Sequence, residues 1–202
     1  GGDPNVRRGS DFGPPTPTDA ITPLMAMVLS HNTQMCEILA SHESVDANIR
    51  CTLKDKSNTT VTIEAVRNFH TASETSPLSV ILRRRYKDLD LSARNDRGET
   101  AANVAAKLTS EKLKFRALEL LLDCSGRGAT HLDLSGEELG NTLTQIVRLK
   151  DEKRVFRLME KVVAAGRADV NAPDFVPLNV AIRSSFPWSS RVMQLLIKHG
   201  AD

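Results

Sequence analysis

The sequence predicts an all-α fold, a solenoid of about five helix–loop–helix units, and three observations carry that expectation. Apolar residues recur at helical spacing, most fully at Val155, Leu158, Met159, Val162 and Val163, which share one helix face. Shorter runs of the same spacing occur at Met35, Ile38 and Leu39, at Leu118, Leu121 and Leu122, and at Val192, Leu195 and Leu196. These helices are followed by a Gly- or Ser-containing turn and an Asp. The resulting series Asp46, Asp90, Asp133, Asp169 and Asp202 has intervals of 44, 43, 36 and 33 residues. Internal periods of about 20–50 residues mark stacked supersecondary units. Aromatic residues make up only 4% of the chain (six Phe, one Trp, one Tyr), whereas sandwiches and barrels lean on β-branched and aromatic side chains.

Composition bounds the function. The chain has 202 residues, enough for one large domain or a short array with a real core. Apolar residues are 40% and charged residues 26%, as in a soluble globular protein, and the net charge is +2. So mild a balance argues against a dedicated nucleic-acid or membrane-surface binder. The three cysteines, Cys36, Cys51 and Cys124, have neither a disulfide-framework nor a zinc-ligand spacing. They are expected to be free thiols, which points to an intracellular location, cytoplasmic or nuclear. No apolar stretch approaches the roughly 18 residues of a membrane span, and no charged-then-apolar signal opens the chain. The chain does not start on Met and stops in mid-motif at His199-Gly200-Ala201-Asp202, so it is expected to be a piece of a longer protein whose array continues beyond 202.

Taken in order, residues 1–19 hold four Gly and four Pro without helical periodicity and are expected to be a flexible tail or linker. Phe12 among Pro14, Pro15 and Pro17 leaves a docked polyproline II peptide as the alternative. From 20 to 202 the units fall at about 20–48, 60–92, 98–135, 141–171 and 174–202, with an insertion at about 49–60. Their opening signature is Thr22-Pro23-Leu24, Ser76-Pro77-Leu78, Thr100-Ala101-Ala102, Asn141-Thr142-Leu143 and Val176-Pro177-Leu178. A hydroxyl caps the orphan N–H groups of a helix start, and Pro at the first helical position forfeits no hydrogen bond. Short helices of small residues follow, such as 103–108 and 179–184, which lets neighbours stack closely. The second unit parses in two ways. Ser76-Pro77-Leu78 opens a first helix, leaving too few residues before Asp90 for a second; or Val61–His70 is the first helix and Pro77–Tyr86 the second. The latter is preferred, because a lone helix would expose its neighbour's apolar face. Residues 123–140 look like a further extended loop.

Here the sequence resembles the ankyrin repeat family, whose unit reads roughly D-x-x-G-x-T-P-L-H-x-A-A and ends L-L-x-x-G-A-D-V-N. Residues 177–202 match best, and GRADVNAPD (166–174) and ARNDRGETAANVAA (93–106) are close. The resemblance spans about residues 20–202 and implies helix–loop–helix units joined by turns or hairpins in a curved array. The chain departs from the pattern too. The family's His is replaced by Met25, Ser79, Asn103, Thr144 and Asn179, and several spacings exceed 33 residues.

Candidate chemistry is sparse. His31, His42, His70, His131 and His199 form no metal-ligand pattern, so no metal and no cofactor is expected. His199 and His42 are expected to serve helix C-termini. Cys36 and Cys124 are expected to be small buried hydrophobes. Cys-Ser-Gly-Arg-Gly (124–128) lacks the remainder of a phosphate loop and is expected to be a helix C-terminal turn. No G-x-S-x-G or comparable signature is present, so the chain is not expected to be an enzyme. Arg83, Arg84 and Arg85, with Lys87, form the densest charge cluster: either a contact for phosphate or an acidic partner, or a solvated helix end whose cations meet the last carbonyls. Phe186-Pro187-Trp188 either offers Trp188 as an interface anchor or packs it onto the array.

What the resemblance implies is a non-catalytic scaffold that binds a partner protein or peptide on its concave turn and first-helix face. Nucleic acid and membrane are not expected as partners, and no residue pattern fixes an oligomeric state. The alternatives are a regulatory or targeting domain of a larger enzyme and a host-directed effector module. In the best-preserved turn the contact positions would be Arg94, Asp96, Arg97, Glu99 and Asn103. Residues 51–60 are polar, whereas Val61, Ile63, Val66 and Phe69 should pack on the array; the inserted tip is tolerated drift or a specificity loop.

Overall fold

The computed structural model describes residues 21–53, 57–127, 129, 132, 152–164 and 189–200. Among these the chain is mostly helical, with eight helices and a single two-stranded hairpin. The helices are α1 (Pro23–Leu29), α2 (Thr33–Ser41), α3 (Val61–Arg67), α4 (Pro77–Arg84), α5 (Ala101–Ala106), α6 (Glu111–Ser125), α7 (Glu152–Ala164) and α8 (Ser189–Lys198). Strands β1 (Cys51–Thr52) and β2 (Asn58–Thr59) pair antiparallel, Cys51 opposite Thr59 and Thr52 opposite Asn58. None of the described helices is long and apolar enough to cross a membrane. The chain divides into two compact units, residues 1–130 and 131–202.

In the first unit the helix starts follow from hydroxyl chemistry. The side-chain oxygens of Thr22, Thr60, Ser76 and Thr100 accept the N–H of Met25, Ile63, Ser79 and Asn103, each three residues on. Pro23 and Pro77 occupy the first helical position, where a missing N–H forfeits nothing. Asn32 caps α2 in the same manner, through the N–H of Met35.

The six helices form three back-to-back pairs, α1 with α2, α3 with α4 and α5 with α6. Helices α1, α3 and α5 pack side by side in one layer, and α2, α4 and α6 in a second. The core fills the space between, from Leu24, Met25 and Val28 through Ile63, Val66, Leu78 and Ile81 to Leu118, Leu121 and Leu122, all buried. Four of the six residues of α5 are alanine, and Ala101, Ala102, Ala105 and Ala106 are buried. Such small residues let it sit close against α3 and α6. Two helices, at 61–67 and 77–84, pack against each other in the second pair, the arrangement of the preferred parse. Ser76-Pro77-Leu78 therefore opens a second helix, and Thr60 takes the capping role at the first.

The structure corrects the apolar face expected for α2. Met35 is 39% and Ile38 62% exposed, and the buried positions are Cys36 and Ala40. Cys36 and Ala40, four apart, form a narrow seam of small side chains, so α2 packs on α1 and α4 through that seam while its bulkier residues turn outward. The segment after α2 is also more ordered than its polarity implies. Cys51 and Thr59 of the hairpin are buried, and Val61, Ile63, Val66 and Phe69 are all 2% exposed or less. Lys54, Asp55 and Lys56, the tip, lie outside the described residues.

The recurring aspartates have a local role where they are described. Asp46 accepts the N–H of Asn48 at 2.8 Å, and Asp90 accepts the N–H of Ser92 at 3.0 Å and its hydroxyl at 2.7 Å. Each Asp is flanked by buried apolar residues, Val45 and Ala47 at one turn, Leu89 and Leu91 at the next. The two turns are joined, since Asn48 donates to the Asp88 carbonyl at 2.5 Å and accepts the Asp90 N–H at 2.8 Å.

In the second unit α7 and α8 pack together. All five residues of the α7 face, Val155, Leu158, Met159, Val162 and Val163, are buried, as are Val192 and Leu196 on α8; Leu195 is half-buried. The Arg191 guanidinium lies 5.2 Å from the Phe156 ring centre. The tail 1–19, the remaining aspartates of the series, the openings at 141 and 176, His131 and Trp188 lie outside the described residues.

Candidate functional site

The turn between α4 and α5 is built around Asn95, which is only 8% exposed. Its side-chain oxygen accepts the N–H groups of Arg97 and Glu99, both at 2.9 Å, while its backbone carbonyl accepts the N–H of Gly98 at 3.0 Å. Gly98 has φ +73°, a left-handed conformation that a side chain would strain. The Arg94 guanidinium closes the turn on the Gly98 carbonyl at 2.6 Å. Asp96 ties the turn to the hairpin. Its carboxylate accepts the Asn58 N–H at 2.6 Å, and its own N–H donates to the Asn58 carbonyl at 3.2 Å. Asn103 completes the cap of α5, its oxygen accepting the Thr100 N–H at 3.0 Å. The five turn positions named from sequence are thus brought together, but they do different work. Arg94, Asp96 and Asn103 hold the backbone. The exposed Arg97 guanidinium makes no hydrogen bond or ion pair among the described residues.

Beside this turn lies a cleft of about 340 Å³. Its floor is apolar, from Phe69 after α3, Val104 of α5, and Leu108 and Leu113 around the start of α6. Its rim carries the cations Arg67, Arg97 and Lys107, together with His70. Glu99 is the rim's carboxylate. It accepts from Asn95 at 2.9 Å and Lys107 at 2.7 Å, and Arg67 stands 3.9 Å away. Burial opposes the charged form of Glu99, but the Asn95 amide and the Lys107 ammonium, with Arg67 beyond, outweigh it and hold its carboxyl below the usual range. Arg67 also meets the buried Glu64 at 2.5 Å. Sequence reasoning missed Asn95, Arg67, Phe69 and Lys107. Asn95 has a local signal, an Asn two and four residues before the N–H groups it accepts, and Arg67 has its place in the last turn of α3, whereas Phe69 and Lys107 come from segments that only the packing brings together.

The arginine cluster is drawn onto the body of the first unit. Arg83 pairs with Glu37 of α2 at 2.8 Å, and Arg84 donates to the same carboxylate from Nε at 2.5 Å. The two guanidinium groups hold the Glu37 carboxyl below its ordinary value, the Arg84 hydrogen bond most of all. Arg85 reaches back to the Val45 carbonyl at 2.6 Å and to Asp88 at 3.2 Å. Arg83 and Arg84 therefore serve a partner on α2, and the Lys87 ammonium lies 5.8 Å from the ring centre of its neighbour Tyr86. Among the described residues Arg85 alone of the three arginines meets a carbonyl.

The remaining candidates have structural surroundings. Cys36, Cys51 and Cys124 are free and buried; burial pushes the Cys36 thiol up to about 11 and that of Cys124 to about 12. Cys124 lies in the last turn of α6, which closes as the Gly126 N–H bonds the Leu122 carbonyl at 3.0 Å. The rings of His31 and His70 lie 5.2 Å apart, centre to centre. The His42 ring meets the Ser44 hydroxyl at 2.8 Å, and His199 follows α8 with its N–H on the Leu196 carbonyl. Among the described residues no three of His, Cys, Asp or Glu converge as metal ligands would. No protein-family model and no curated protein matches the chain.

Proposed function

We propose that this chain is an ankyrin-type repeat scaffold that binds a partner protein or peptide through the turn before α5 and the neighbouring cleft, and that it catalyses no reaction. Three back-to-back helix pairs stacked in two layers, with hydroxyl-capped first helices and Asp-headed turns between pairs, support the repeat reading. The observation that carries the binding reading is the way the turn is pinned. Asn95, Arg94 and the Asp96 bridge to Asn58 fix its backbone, so the exposed Arg97 is presented without further ordering of the backbone. Three buried, unpaired cysteines support a reducing, intracellular setting.

The test is affinity capture followed by mass spectrometry with three versions of the chain: unaltered, Arg97→Ala/Lys107→Ala, and Lys112→Glu as a control on exposed α6 surface. The scaffold reading expects one protein retained by the unaltered chain and the control but lost from the double variant. Equal retention by all three, or nothing retained by any, contradicts it. Stoichiometric zinc or nucleotide hydrolysis in clean protein would overturn the non-catalytic part.

A further inference from the structure

The cleft beside the turn has a chemistry of its own. Among the described residues three cations and a histidine face a single rim carboxylate, and that carboxylate is already engaged by Asn95 and Lys107. Arg67 meets Glu64 through Nη1 and stands 3.9 Å from Glu99 through Nη2, while Arg97 has no partner among the described residues. Five N–H donors on each guanidinium exceed what these contacts use, so an incoming carboxylate finds donors without displacing Glu99. Below the cations, Val104, Leu108 and Leu113 offer apolar surface. A volume of about 340 Å³ is at the low end for ligand pockets, about 300–1,000 Å³.

Building on the scaffold reading, we infer that this cleft selects an acidic–apolar peptide segment, with a Glu or Asp carboxylate on Arg97 and Arg67 and the adjacent apolar side chain on Leu108 and Leu113. A nucleic acid fits less well. Its closely spaced phosphates would crowd Glu99, and the whole chain carries only +2. A purely acidic ligand would leave the apolar floor unused.

The experiment follows backbone amide signals of the full isotope-labelled chain while four probes are added: a short blocked peptide alternating Glu and Leu, the same with Lys for Glu, the same with Ser for Leu, and inorganic phosphate. The inference expects the Glu–Leu peptide alone to shift amides within 67–70, 97–99 and 104–109. Its affinity should fall with added salt and drop about tenfold in Arg97→Glu, the equivalent of one charge-assisted hydrogen bond. Arg97→Lys should recover part of that loss. Comparable binding by the Lys–Leu or Glu–Ser peptide or by phosphate, shifts confined to other residues, or indifference to Arg97→Glu would each overturn it. The capture experiment separates the two readings. A partner lost from Arg97→Ala/Lys107→Ala while no Glu–Leu binding occurs leaves the scaffold standing and removes this inference; a partner unaffected by the double variant removes both.

Discussion

Replacing Asp96 by Ala takes away the acceptor that ties β2 to the turn before α5. The bond lost is short, 2.6 Å to the Asn58 N–H, and its acceptor is charged. Hydrogen bonds to charged groups are worth about 1.5–3 kcal/mol when buried. Asp96 is exposed and Asn58 only half-buried, so water replaces part of the bond. The second link of the bridge, from the Asp96 N–H to the Asn58 carbonyl, involves no side chain and survives. The expected loss is therefore about 1–1.5 kcal/mol, or a fall in Tm of about 3–6 °C for a unit of this size. Asp96→Asn keeps an acceptor and should lose about half as much. Urea unfolding followed by circular dichroism measures both, and an unchanged slope would place the effect in the native state. Hydrogen exchange adds a local readout, since the Asn58 amide should exchange faster in Asp96→Ala. A variant within about 0.3 kcal/mol of the parent, below what such measurements resolve for a lost bond, with Asn58 exchange unaltered, would refute the pinned-turn argument. The same reasoning separates the turn positions: Arg94→Ala should destabilise through the freed Gly98 carbonyl, and Arg97→Ala should not.

Other outcomes follow from the same contacts. Leu121→Ala, fully buried between the layers, should destabilise by about 2.5–4 kcal/mol, and Thr100→Ala by about 1 kcal/mol through its cap, both read by denaturant unfolding. Thiol-specific labelling of the native chain at pH 8 should be slow at Cys36 and Cys124, whose thiols stay protonated, and complete once the chain is unfolded; rapid native labelling would contradict their burial. The Glu99 carboxyl is held below its ordinary value, so the stability it contributes is complete above about pH 4.3 and is lost as pH falls through its lower folded value. Glu99→Gln should flatten that acid limb of the stability profile, and an unchanged limb would argue against the Asn95–Lys107 network.

Local chemistry made some of the fold legible. Thr22-Pro23 and Ser76-Pro77 announce helix starts because capping and the missing proline N–H act within a few residues. The five apolar positions of α7 are buried because large side chains at regular spacing leave one face to cover. Where packing depends on small residues, the pattern misleads: Met35 and Ile38 draw the eye, but Cys36 and Ala40 form the seam. A hairpin of two-residue strands has too little alternation to be read, and what steadies it is an aspartate 38 residues later. Arg83 and Arg84 read as a solvated helix end or as a contact for phosphate or an acidic partner, because Glu37 lies more than 40 residues before them. The candidate site was half legible. The turn carries its own motif, whereas Arg67, Phe69 and Lys107 reach the cleft only through the packing of α3 on α5.

The most direct test of the account is hydrogen exchange of the chain alone and with the partner recovered by capture, read residue by residue. The account predicts new protection at 67–70, 94–109 and the first turn of α6, with α2, α4 and the rest of α6 exchanging as before. Protection centred on the second layer, with the turn before α5 unchanged, would contradict it.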